Sequence, residues 1–94
     1  MLQGDKMSSY IVLTAVGTDR PGLVDEISSF LAARKINIED SRMAVLGGEF
    51  AVILLASGAA TVVDKLGAEL VSLEKITGLT MQVKSTLAPH QRKV

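Results

Sequence analysis

An α+β fold with the element order β-α-β-β-α-β is what this sequence predicts. Three observations carry that expectation. Apolar runs rich in β-branched residues recur at residues 9–17, 36–46, 49–57 and 79–87. Two stretches between them place apolar residues at three-to-four spacing instead, the mark of a helix with one buried face. Gly47 and Gly48 alone separate the second and third runs. Such a pair suits a two-residue hairpin turn, because both positions accept positive φ.

Each element has its own signature. Residues 9–17 (SYIVLTAVG) are apolar on both alternating faces, which fits a central strand. Pro21 then suits the first helical position, where its missing N–H is no loss. Leu23, Ile27, Phe30 and Leu31 follow at helical spacing. Asp25 and Glu26 are expected in the first turn and Arg34 and Lys35 in the last, the polarity a helix dipole favours. In residues 36–46 the alternation slips. Ile36 and Ile38 share one phase and Met43 and Val45 the other, so a bulge near residues 39–42 is expected. Residues 49–57 return as a nearly continuous apolar strand, and Gly58 breaks it. Thr61 and Asp64 resemble a capping box, after which Val63, Leu66, Leu70 and Leu73 mark one helical face. Gly67 inside that helix costs about 1 kcal/mol relative to alanine, so a close backbone contact is expected there. Gly78 ends the helix, and residues 79–87 alternate cleanly as a half-exposed edge strand.

This order is the split βαβ plan of ferredoxin-like folds: a four-stranded antiparallel sheet with two helices on one face. Right-handed crossovers put the first and third strands in the centre. The other face, left bare, would expose valines and leucines, so self-association or docking onto another domain is expected. Residues 1–8 read as a flexible lead, 9–87 as the single domain and 88–94 as a polar tail.

Composition narrows the chemistry. The 94 residues carry ten basic and ten acidic side chains, which gives no electrostatic footprint for nucleic acid or an anionic membrane. There is no cysteine, and the one histidine, His90, cannot build a metal site alone. No apolar run reaches the roughly 20 residues a membrane helix needs. No cofactor motif is present. A soluble cytoplasmic protein is expected. No nucleophile–base pair is visible, so an enzyme is not expected. Two rivals use the same fold. An acylphosphatase-like site would ask Arg20 to hold phosphate and Asn37 to orient water, but Pro21 removes a needed N–H donor. An RNA-binding domain needs aromatic side chains on its central strands, and only Tyr10, Phe30 and Phe50 are aromatic.

The segment Gly17, Thr18, Asp19, Arg20, Pro21, Gly22 and Leu23 joins a strand to a helix. Such a junction offers free N–H groups at the positive end of a helix, and glycines let a ligand approach closely. The same residues also serve simply to shape a turn, with Thr18 or Asp19 as the cap. Asn37 opens the second strand, and Asp40, Ser41 and Arg42 lie at its irregular point. They suit either a partner's contribution to that loop or the charge pattern of an edge strand.

Two segments, GTDRPGLVDEI and NIEDSRMAVLGGEFAVILLASG, together resemble the ACT domains, small regulatory modules that bind amino acids. Within that family the second segment is similar to a transcriptional repressor of glycine cleavage. The resemblance covers about residues 9–86. It implies side-by-side pairing through the first helix and second strand, with a small amino acid, glycine or serine first, held at a homodimer interface. It implies control of a partner regulator or enzyme, with no nucleic acid or membrane bound directly and no cofactor. Carried over, the ligand loop is residues 17–23, with Asp19 and the Gly22 and Leu23 backbone nearest the ligand. Asn37 and Ile38 fall where the opposing strand contributes, and Asp40 and Ser41 stand behind them.

Overall fold

A computed structural model describes residues 8–88. The elements are β1 (Ser8–Thr18), α1 (Leu23–Ala33), β2 (Asn37–Leu46), β3 (Glu49–Ala59), α2 (Ala60–Thr77) and β4 (Thr80–Thr86). The sheet is antiparallel with strand order β2-β3-β1-β4, so β1 and β3 are central as expected. Most of the expected lead and tail lies outside the described residues.

The core lies between the sheet and the helices. Ile11, Leu13 and Ala15 of β1 and Phe50, Val52, Leu54 and Ala56 of β3 turn one way and are buried. Leu23, Ile27 and Leu31 of α1 and Val63, Leu66, Leu70 and Leu73 of α2 close over them. Each of these side chains larger than alanine contributes about 1.5–3 kcal/mol on leaving water. Arg34 ties the helices together: its Nε donates to Glu69 Oε1 at 2.8 Å, and its guanidinium lies 3.6 Å from the Phe30 ring centroid.

The bare face follows from register. Asp40, Leu55, Val12 and Lys84 form one row across it, and Arg42, Ile53, Thr14 and Gln82 the next. Val16 and Ile53 remain 50% and 47% exposed there. β2 buries none of its residues. Its expected irregularity is a register shift between Ile38 and Asp40. The shift leaves Glu39 unpaired, and its carboxylate accepts a 2.6 Å hydrogen bond from the Ser57 hydroxyl. The hairpin glycines have φ 55 and 89, as a type I′ turn needs.

Several local expectations are corrected. Helix α1 starts at Leu23, so Pro21 stands before it rather than in its first turn. Gly22 is the N-cap in the left-handed region (φ 90), which ends any continuation back to Pro21. Neither Thr18 nor Asp19 caps the helix. The helix also stops early: Arg34 is its C-cap and Lys35 follows with φ 60, so neither lies in the last turn. Thr61 and Asp64 form no capping box, because α2 starts at Ala60 with Ala59 as an uncapped N-cap. Gly58 does not break β3, which runs on to Ala59. A Cβ on Gly67 would meet nothing nearer than Val83 Cγ1 at 3.8 Å, an ordinary contact, so no close approach requires that glycine. Gly78 is the expected left-handed C-cap.

Candidate functional site

The loop between β1 and α1 is held at both ends. The Asp19 N–H donates to the Gly48 carbonyl at 3.0 Å, docking the loop on the hairpin. Arg20 turns back as a clamp. Its Nη2 donates to Glu26 Oε1 at 2.7 Å and to the Ile76 carbonyl at 2.8 Å, and its Nη1 donates to Glu26 Oε2 at 3.0 Å. This forked pair joins loop, α1 and the end of α2. It also occupies the guanidinium, so Arg20 shapes the loop and is not a free anion-binding arm. The hydrogen bonds from Arg20 hold the Glu26 carboxyl below its usual range, and Glu26 in turn holds Arg20 above its own.

Between those anchors the start of α1 is open. The first backbone bond into the helix runs from the Glu26 N–H to the Gly22 carbonyl, and no side chain caps the N–H groups ahead of it. A depression of about 310 Å³ lies beside this end. Its rim carries Asp19, Gly22 and Asp25, and Val24, Met43, Val45 and Phe50 supply apolar walls. It runs out at the β2 side, where Val45 and Leu46 are 55% and 75% exposed.

The expected site residues do not all come together. Asp19, Arg20, Gly22 and Leu23 line the depression. Gly17 instead serves packing. A Cβ there would sit 2.8 Å from Leu79 Cδ2 and 3.1 Å from Leu79 Cα, so its bareness admits Leu79 to the core, not a ligand. Asn37 and Ile38 pair with Ser57 and Ala56, at the opposite end of the sheet from the loop. Asp40 faces the bare side of the sheet, where Arg42 and the Ser41 N–H hold its carboxyl below the usual range. Ser41, on β2, lines a narrow groove against α1 with Val24, Ile27 and Met43.

The apolar walls were missed by sequence reasoning, though a signal existed. Counting outward from the Gly47–Gly48 turn pairs Val45 with Phe50 and Met43 with Val52. That places Met43 and Val45 on the helix side of the sheet, beside the loop.

The sequence model of the ACT domain matches residues 9–84. The chain belongs to the ACT domain family. It is 53% identical over 49 residues to the glycine cleavage system transcriptional repressor of Escherichia coli, covering 52% of this chain but 26% of that protein. A UPF0237 protein of Methanopyrus kandleri is 48% identical over 61 residues, covering 63% of this chain and 68% of that one. Among solved structures, one named for a glycine cleavage system transcriptional repressor superposes with a TM-score of 0.82 at 34% identity. It covers 94% of this chain, and this chain spans 51% of it. The chain is thus about half the length of the repressors it resembles, and its match to the Escherichia coli protein covers about a quarter of that protein. Among the described residues, no helix of this ACT domain is long and apolar enough to cross a membrane.

Proposed function

We propose that this ACT domain is a regulatory module that binds a small amino acid between two copies and thereby controls a partner protein. The observation that carries the reading is the uncapped start of α1 opening onto a half-built depression. Backbone N–H groups at a helix start suit a carboxylate, each such charge-assisted bond contributing about 1.5–3 kcal/mol. Asp19 and Asp25 on the rim suit an ammonium group. The two together match an α-amino acid, and the family resemblance puts glycine or serine first.

The missing wall is supplied by a second chain. Two sheet edges are open to pairing, and they differ. At β4 the Met81 N–H is already taken by Glu74 Oε2 at 2.7 Å. At β2 the edge is bare and flanked by exposed Val24, Ile38, Met43 and Val45. Antiparallel pairing of β2 with its copy brings the partner's Asn37 opposite Leu46, beside the loop. Asn37 and Ile38 then act on the neighbouring site, which accounts for their distance from their own. A ligand touching both chains stabilises the pair. For a ligand as small as glycine the ceiling is roughly 7.5 kcal/mol, a Kd of about a few micromolar.

The names of the relatives support a regulatory role, and transcriptional control of glycine cleavage is the leading context. The exposed apolar strip along β2 favours one alternative, a pairing module without a ligand. Calorimetric titration against a panel of amino acids decides between them. Heat for glycine or serine that disappears in Gly22→Ala is the expected result. Silence across the panel at millimolar concentration overturns ligand binding and leaves the pairing module.

A further inference from the structure

The bare face of the sheet holds a depression of about 490 Å³, well away from the α1 loop. Its floor is Val12, Ile53 and Leu55, and Asp40 and Arg42 wall it on the β2 side. On the other side the chain leaves β4 through Leu87 and Ala88. Ala88 is buried, but Leu87 is 64% exposed at the rim. The face thus carries an apolar hole towards β2 and an apolar knob towards β4.

We propose that this face binds the same face of a second copy, about a two-fold axis parallel to the strands. That axis lays β2 of one copy over β4 of the other. Each Leu87 then meets the other copy's hole. In the row of Asp40, Leu55, Val12 and Lys84, Asp40 comes over the partner's Lys84. Arg42, in the next row, comes over the partner's Gln82, whose amide oxygen accepts from it. The alternative axis, across the strands, sets β2 over β2 and β4 over β4; placed between the two rows it would bring Asp40 over the partner's Arg42, but it forfeits the knob-to-hole match. Sheets stacked this way pack aligned, turned by about 30° by their own twist.

Size sets the strength. Four strands about 4.8 Å apart and four residue rows deep present about 500 Å² per copy, or about 1,000 Å² in all. That lies at the low end for specific interfaces, so this dimer is weak and concentration-dependent. It is separate from the β2-edge pairing proposed above; because it sets the two β2 edges on opposite sides of the stack, the two interfaces together build an open chain of copies and not a closed ring.

The test is sedimentation velocity on the full chain over roughly 5–500 µM, a range that brackets a weak interface, with circular dichroism to show that each variant folds. Val45→Glu removes the β2-edge pairing, and in that background the open-face dimer is expected to persist. Adding Leu87→Asp then leaves a monomer. Asp40→Lys or Lys84→Asp alone weakens association about tenfold, since each turns two attractions per dimer into repulsions. The double swap restores it. Four outcomes overturn the proposal: a Val45→Glu protein monomeric throughout, Leu87→Asp without effect, single swaps without effect, or a double swap that fails to recover. The first is also expected if residues 89–94 of the same chain fill the hole. None of the four touches the ligand reading, which rests on calorimetry of the α1 loop.

Discussion

Gly17→Ala is expected to destabilise the fold without touching the candidate site. Gly17 shows no positive φ, so alanine meets no backbone strain there, and loss of chain entropy alone would favour it by about 0.4–1 kcal/mol. Space decides the sign. The added methyl lies 2.8 Å from Leu79 Cδ2, 3.1 Å from Leu79 Cα and 3.2 Å from the Gly78 carbonyl oxygen. A side-chain tip can swing aside, but two of those three atoms are backbone. Leu79 is itself 2% exposed, with no free volume to retreat into. Overpacking of this kind costs about 1–3 kcal/mol. In a domain of this length each kilocalorie lowers Tm by about 4–8 °C, so a fall of roughly 4–24 °C is expected. Thermal unfolding followed by circular dichroism measures it. Amino-acid affinity, measured by calorimetry well below Tm, stays unchanged. A Tm within about 2 °C of wild type would refute the packing argument, as would a loss of affinity at full stability.

Gly22→Ala behaves the opposite way. A Cβ has room, the nearest atom being Glu26 Oε2 at 3.7 Å, but φ 90 strains any side-chain-bearing residue by about 1–3 kcal/mol. It reshapes the loop, so ligand affinity falls with stability; intact affinity would remove the loop from the site. Lys35→Gly relieves the left-handed Lys35 at φ 60 and stabilises by about 1 kcal/mol, read as a raised denaturant midpoint. The Arg20–Glu26 clamp gives a pH signature. Because the folded carboxyl is held below its ordinary value, its contribution is complete above the unfolded pKa of about 4.3 and is lost as pH falls through the lowered folded value. Glu26→Gln therefore flattens the acid side of the stability profile; an unchanged profile would show that the clamp contributes nothing. Leu31→Ala, in the centre of the core, costs about 2–5 kcal/mol by chemical denaturation, and a cost under 1 kcal/mol would contradict its full burial.

The strand order, the hairpin and the bulge of β2 were all legible in the sequence, because each rests on side-chain phase. A period-two alternation that slips between Ile38 and Met43 has few physical readings other than an extra residue. Helix ends were less legible. Pro21 and Thr61 each carry a strong local preference, yet α1 waits for the left-handed Gly22 and α2 starts straight out of β3. Packing of Leu23 and Val63 against the sheet overrides those preferences. The candidate site was legible by position but not by role. Gly17 and Gly22 look alike in a string of letters. Only the approach of Leu79, contributed from the far end of the chain, separates the glycine that makes room from the glycine that bends. Arg20 likewise reads as a free cation until Glu26 and the Ile76 carbonyl are seen to occupy it.

The lack of buried residues in β2 has a consequence for how such a chain can change. A strand that gives the core nothing can be rewritten without unfolding the rest. With the pairing proposed above, substitutions along residues 37–46 register in which chains meet, while the cost to the monomer stays within about half a kilocalorie for most surface positions. Duplicated copies of this domain in one cell can therefore drift apart in pairing preference through one strand, while the remaining five elements stay under the discipline of the core.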